Sequence, residues 1–112
     1  MKVPIDKKDF SVFIEESEIF KLTKESLFLC LENWYKDEYE NFMENMRADL
    51  NTVRNKYSFS NDMVSISKDF QYDIPLDTVS CKIRIYDSDG DYCMIYHAVF
   101  DYDLNIIDDF LY

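Results

Sequence analysis

TVSCKIRIYDSDGDYCMIYHAVFDYDLNIIDDFLY, residues 78 to 112, decides how this chain folds. In Thr78–Tyr86, Val79, Cys81, Ile83 and Ile85 alternate with Ser80, Lys82, Arg84 and Tyr86, the period of a strand with one face buried. Asp89–Gly90 reads as a two-residue hairpin turn, because glycine takes the positive φ that such a turn demands. Tyr92–Asp101 is apolar on both faces, as a central strand is. Asp103–Asn105 turns the chain again, and Ile106–Tyr112 completes a three-stranded antiparallel meander.

These turns predict a register. A tight turn at Asp89–Gly90 sets His97 opposite Lys82 and Ile95 opposite Arg84. A turn over Tyr102–Asn105 sets Phe110 opposite His97 and Asp108 opposite Val99. Lys82, His97 and Asp108 then share one face at cross-strand or diagonal reach, roughly 5–8 Å between Cα positions. Cys93 is expected on that face too, four residues and about 13 Å from His97, with Cys81 on the other, which argues against a Cys81–Cys93 disulfide.

Upstream, the period is helical. Leu27, Leu31, Trp34, Tyr35, Tyr39, Phe42, Met43, Met46, Leu50 and Val53 recur mostly at three- and four-residue steps. Thr23 is the expected N-cap, with Glu25 near the positive end of the dipole. Residues 24–56 are therefore one long helix or two joined near Lys36–Asp37. Phe10–Phe20 is also read as helix, because its EESE run makes a poor strand. Tyr57–Ser60, Met63–Ser67 and Phe70–Ile74 are short strand candidates, punctuated by Asn61–Asp62 and Ile74–Pro75. The expected architecture is one α+β domain over residues 1–112, with helices laid on one face of an antiparallel sheet.

Composition narrows the function. The 112 residues include one glycine and two prolines, so the glycine-rich loops that cradle phosphates or dinucleotides cannot be built. Three cysteines do not make a disulfide framework, and MKVPIDKKDF lacks the apolar stretch of a secretory signal. LFLCL, residues 27–31, is far too short to span a membrane. A cytosolic location is the expectation. The formal charge is −11: residues 1–84 hold all 12 Lys and Arg with 16 acids, whereas residues 85–112 hold seven aspartates and no base. That field opposes direct contact with nucleic acid or an anionic membrane and attracts a basic protein.

Three readings of the aspartates follow. Asp87, Asp89 and Asp91 have the one-three-five spacing that opens an EF-hand loop, but the required glycine sits at the fourth position and the twelfth is Ala98. One histidine and three scattered cysteines give no zinc pattern, so no metal or other cofactor is expected. A histidine oriented by an aspartate begins a general base, yet His97 and Asp108 lack a nucleophile beside them. The recognition reading assigns partner contacts to Asp87, Asp89, Asp91 and Tyr92 at one hairpin tip and to Asp101, Tyr102 and Asp103 at the other. The tips lie roughly 30 Å apart at opposite ends of the central strand, a span suited to a protein partner. In size, charge and lack of catalytic loops the chain is similar in type to small acidic bacterial inhibitors such as immunity proteins. That likeness implies a non-enzymatic inhibitor of a basic partner, with a nuclease toxin the expected one. An anti-CRISPR-type inhibitor of a nucleic-acid-binding effector satisfies the same physics, and a small enzyme or ligand-binding domain using His97 and Asp108 is the competing class.

Overall fold

A computed structural model describes residues 4–112. Four helices precede four strands: α1 (Lys7–Ser17), α2 (Ile19–Asp37), α3 (Tyr39–Met46), α4 (Leu50–Lys56), β1 (Ser58–Asp69), β2 (Leu76–Tyr86), β3 (Tyr92–Phe100) and β4 (Ile106–Leu111). The sheet is antiparallel in the order β1-β2-β3-β4, so every neighbour in space is a neighbour in sequence. The α+β class and the meander are as the sequence predicts.

Local chemistry sets the helix boundaries. Asp6 caps α1, its carboxylate accepting the Lys8 and Asp9 N–H groups at 2.9 and 3.1 Å. Glu18, at φ 51°, ends α1 and α2 starts directly after it. Thr23 is therefore no cap. It lies fully buried inside α2, and its hydroxyl donates back to the Ile19 carbonyl at 2.7 Å. The expected junction near Lys36–Asp37 is real: Glu38, at φ −137° and ψ 58°, breaks the helical run. A second break at Arg47–Asp49 separates α3 from α4, where the Asp49 carboxylate accepts the Thr52 N–H at 2.8 Å. That bond holds the Asp49 carboxyl below the usual range. The apolar stripe thus covers three helices rather than one or two.

Aromatic packing closes the elbow between α2 and α3. Phe42 is fully buried, with edge-to-face contacts to Trp34 at 4.9 Å and Tyr35 at 5.0 Å. The Trp34 indole N–H donates to Asn41 at 2.9 Å, and Tyr57 donates its hydroxyl to the Met46 carbonyl, tying the start of the sheet to the end of α3.

The sheet differs from expectation in three places. Tyr57–Ser60 and Met63–Ser67 are not separate strands: β1 runs through both and carries a bulge at Asp62, between the pairs Asn61–Ile83 and Met63–Lys82. Asp62 accepts Arg84 Nε at 2.8 Å. Phe70–Ile74 is not a strand either. The Asp69 carboxylate captures the Gln71 N–H at 3.0 Å, which starts a turn in place of a ladder, and Pro75 then leads into β2. Third, Asp89–Gly90 is not a two-residue turn. Five residues, Asp87–Asp91, form the loop, closed by Asp87 N–H to Asp91 O at 2.9 Å and Gly90 N–H to Asp87 O at 3.0 Å.

The predicted register nevertheless holds: Lys82 faces His97, Arg84 faces Ile95, His97 faces Phe110 and Val99 faces Asp108. The reason is a compensation. The longer loop sets Tyr86 against Tyr92, and a bulge at Cys93 then restores the pairing of Ile85 with Met94. The second hairpin repeats the device. Asp101–Asn105 forms the loop, Phe100 faces Ile106, and Ile107 is the bulged residue before Asp108.

Helix α2 lies across β2 and β3, and the core between them holds Ile19, Leu27, Leu31, Phe42 and Val53 against Cys81, Ile83, Ile85, Tyr96 and Ala98. Burial pushes the Cys81 thiol up to about 11. The bulge also corrects the placement of Cys93. It turns toward the helices, with its thiol 3.8 Å from the Met46 sulfur, because the two residues at a bulge do not alternate. All three cysteines are free.

Candidate functional site

The two acidic loops share one construction. In the first, a single oxygen of Asp87 accepts the N–H groups of Asp89 and Asp91, each at 2.9 Å, and Gly90 stands at φ 85°. In the second, Asp101 accepts those of Asp103 and Asn105, also at 2.9 Å, and Leu104 stands at φ 64°. A leucine in that conformation costs about 1–2 kcal/mol, offset here by packing of its side chain against the core. The backbone N–H of Asn105 is the largest of the bonds that hold the Asp101 carboxyl below its usual range.

The seven predicted contact residues therefore divide by task. Asp87 and Asp101 hold their loops in shape. Asp89, Asp91 and Asp103 are exposed, and among the described residues their carboxylates make no hydrogen bond or ion pair. Replacing Asp101 by alanine is expected to lower the melting temperature by several degrees, and Asp103→Ala to leave it unchanged. Thermal unfolding of the two variants checks this; equal effects would mean that the loop does not depend on the Asp101 carboxylate.

Tyr92 and Tyr102 are 53% and 59% exposed. Tyr92 meets Tyr86 edge-on at 6.3 Å, and the Arg84 guanidinium lies 5.8 Å over its ring. Tyr102 borders an apolar groove of about 340 Å³ with Ile5, Phe13, Ile66 and Val79. Asp87, Asp89, Asp91 and Tyr92 are thus brought together at one end of β3, and Asp101, Tyr102 and Asp103 at the other.

Two features lay outside the sequence reading. Arg47, just after α3, shares a crevice of about 150 Å³ with Asp87, Asp91 and Tyr92, so a second cation besides Arg84 borders the first acidic tip. On the opposite side of the sheet, Asp109 faces the helices. The fully buried Tyr96 places its hydroxyl 2.8 Å from both Ser26 on α2 and Asp109 on β4. Burial, with Asp109 beside it, raises the phenol well above its ordinary value. The protons are therefore ordered: Ser26 donates to Tyr96, and Tyr96 donates to the carboxylate. Strand alternation was the available signal, since it sets Asp109 opposite Ala98 on the helix-facing side of β4, within reach of the Tyr96 hydroxyl.

The His97 cluster has the predicted pairing, but Asp108 does not orient the imidazole. Asp108 accepts the Asp109 N–H at 2.9 Å, and among the described residues no hydrogen bond joins it to the imidazole. The ring packs on Phe110, centroids 5.6 Å apart, and Nε2 is shielded from water with no partner. Burial, then the neighbouring Lys82, pushes the imidazole below its ordinary value of 6.5, against a weaker opposite pull from Asp108. The unfolded chain binds that proton more readily. Its contribution to stability is complete above the unfolded pKa and is lost as pH falls through the folded one. The urea midpoint is expected to drop between pH 7 and pH 5, and His97→Gln to flatten that drop; an unchanged pH profile in the variant would sink the assignment.

Among the described residues no three His, Cys, Asp or Glu side chains are placed to hold a metal ion, and no helix is long and apolar enough to cross a membrane. What the fold defines is a class: an α+β domain with helices on one face of a four-stranded meander and acidic loops at both ends of its third strand. No family model, curated protein or solved structure matches the chain.

Proposed function

We propose that this protein is a small acidic binding protein that occupies a cationic surface of a partner and thereby inhibits it. An immunity protein neutralising a bacterial nuclease toxin in the cytosol is the form that the charge favours. A partner of the anti-CRISPR kind, a nucleic-acid-binding effector, would be recognised by the same chemistry. The observation that carries the reading is that, among the described residues, the Asp89, Asp91 and Asp103 carboxylates have no partner, exposed at two tips of a 28-residue segment without a Lys or Arg. Unpaired carboxylates around exposed tyrosines attract a basic surface over a distance and then offer it large apolar contact.

Affinity capture at low salt, with elution by rising salt, isolates such a partner, and the triple variant Asp89→Asn, Asp91→Asn, Asp103→Asn then tests the tips. Asp87 and Asp101 stay in place, so the loops keep their shape. Association is expected to slow by about tenfold and to lose much of its salt dependence, while dissociation changes little. Unaltered association by the triple variant would defeat the proposal.

A further inference from the structure

We propose that the open edge of β4, with the groove beside it, receives an extended cationic segment of a partner as a fifth strand. The inference rests on the basic-partner reading above and names a surface for it. β4 is an outer strand of the sheet. Ile95 and Tyr112 exchange both backbone bonds, at 2.7 and 3.0 Å, so in an antiparallel ladder the residues two and four earlier, Phe110 and Asp108, also bond inward. Asp109 and Leu111 therefore turn their N–H groups away from β3. A groove of about 510 Å³ runs between β4 and α2, lined by Leu29, Cys30, Ile106 and Ile107 among others. Leu29 is 58% exposed on the helix that buries Leu27 and Leu31, and Ile106 and Ile107 are 45% and 40% exposed.

Charge selects the occupant. The outward Asp109 N–H is taken by the Asp108 carboxylate at 2.9 Å, a guard of the kind that keeps sheet edges from pairing indiscriminately. A neutral or acidic strand would lose that bond and leave a carboxylate facing it. A strand with lysine or arginine at alternate positions replaces it by an ion pair while its apolar residues meet Leu29, Ile106 and Ile107. A second copy of this chain would set Asp108 and Asp109 against their own like charges, in a molecule of net charge −11.

The test titrates the 112-residue chain at low salt with a peptide of four Lys–Val repeats, followed by amide NMR and hydrogen exchange. The expected result is slower exchange at Leu111 with shifts along residues 106–111 and at Leu29, about tenfold weaker binding by Leu29→Gln, and no response to four Glu–Val repeats. Shifts confined to the Asp87–Asp91 and Asp101–Asn105 loops would overturn the edge site and leave the acidic-tip reading standing. No shift with the cationic peptide would overturn both. Protection of the same amides by rising protein concentration alone would assign the edge to a second copy instead.

Discussion

Phe42→Ala is expected to destabilise the protein by about 4 kcal/mol, the largest effect of any single truncation in the helical layer. Three terms add. The ring is fully buried, so its removal forfeits the transfer free energy of its carbon atoms and leaves a cavity that the rigid helix elbow cannot fill. It also ends two edge-to-face contacts, with Trp34 at 4.9 Å and Tyr35 at 5.0 Å, each worth about 0.5–1.5 kcal/mol beyond area. Against a total stability on the order of 10 kcal/mol for a chain of this length, the melting temperature should fall by about 15 °C. Urea unfolding followed by Trp34 fluorescence measures it. A loss under about 1 kcal/mol would mean that the elbow is not packed as described. Phe42→Leu, which keeps most of the volume, should cost about 1 kcal/mol.

Tyr96→Ala is expected to cost about as much, and Tyr96→Phe separates the reasons. Removing the whole side chain empties the middle of the sheet's buried face and should cost about 4 kcal/mol. Removing only the hydroxyl ends the bonds to Ser26 and Asp109 but leaves both partners beside a groove that admits water. The expected cost is about 1 kcal/mol. Asp109→Asn should then change stability less in the Tyr96→Phe background than in the wild type, because the two residues share one bond. Independent, additive effects in that double-mutant cycle would break the link drawn between Tyr96 on β3 and Asp109 on β4.

The sheet was legible in the sequence to a degree the helices were not. Cross-strand pairs through β2, β3 and β4 follow from alternation and the position of the turns, and Lys82–His97 and Val99–Asp108 sit where those rules place them. The turn type was not legible. Asp-Gly is a strong signal for a two-residue turn, whereas the five-residue loop gains the Asp87 carboxylate's bonds to two N–H groups beside its own backbone closure. Leu104 gave no warning at all, since leucine rarely adopts a positive φ. A joint in the stripe was visible near Lys36–Asp37, whereas the second break, at Arg47, was not, because it needs no proline or glycine. Of the site, the acidic tips were visible as sequence, whereas the division of labour among their aspartates was not. It depends on which carboxylate the backbone folds around. Arg47 is near Asp87 only in three dimensions.

Strand order carries a kinetic consequence. Because β1 to β4 are neighbours in the order they are synthesised, each hairpin needs only a short loop to close, and the sheet can zip in steps of one strand. Asp87 and Asp101 favour the two final closures through bonds local to each loop, which need no helix to be docked. Formation of the helical layer on that platform is the step that brings distant segments together, Ser26 with Tyr96 and Met46 with Cys93 among them. The rate-limiting barrier should therefore lie at helix docking, with core substitutions in α2 slowing refolding and substitutions in the tips chiefly altering the hairpins that precede it.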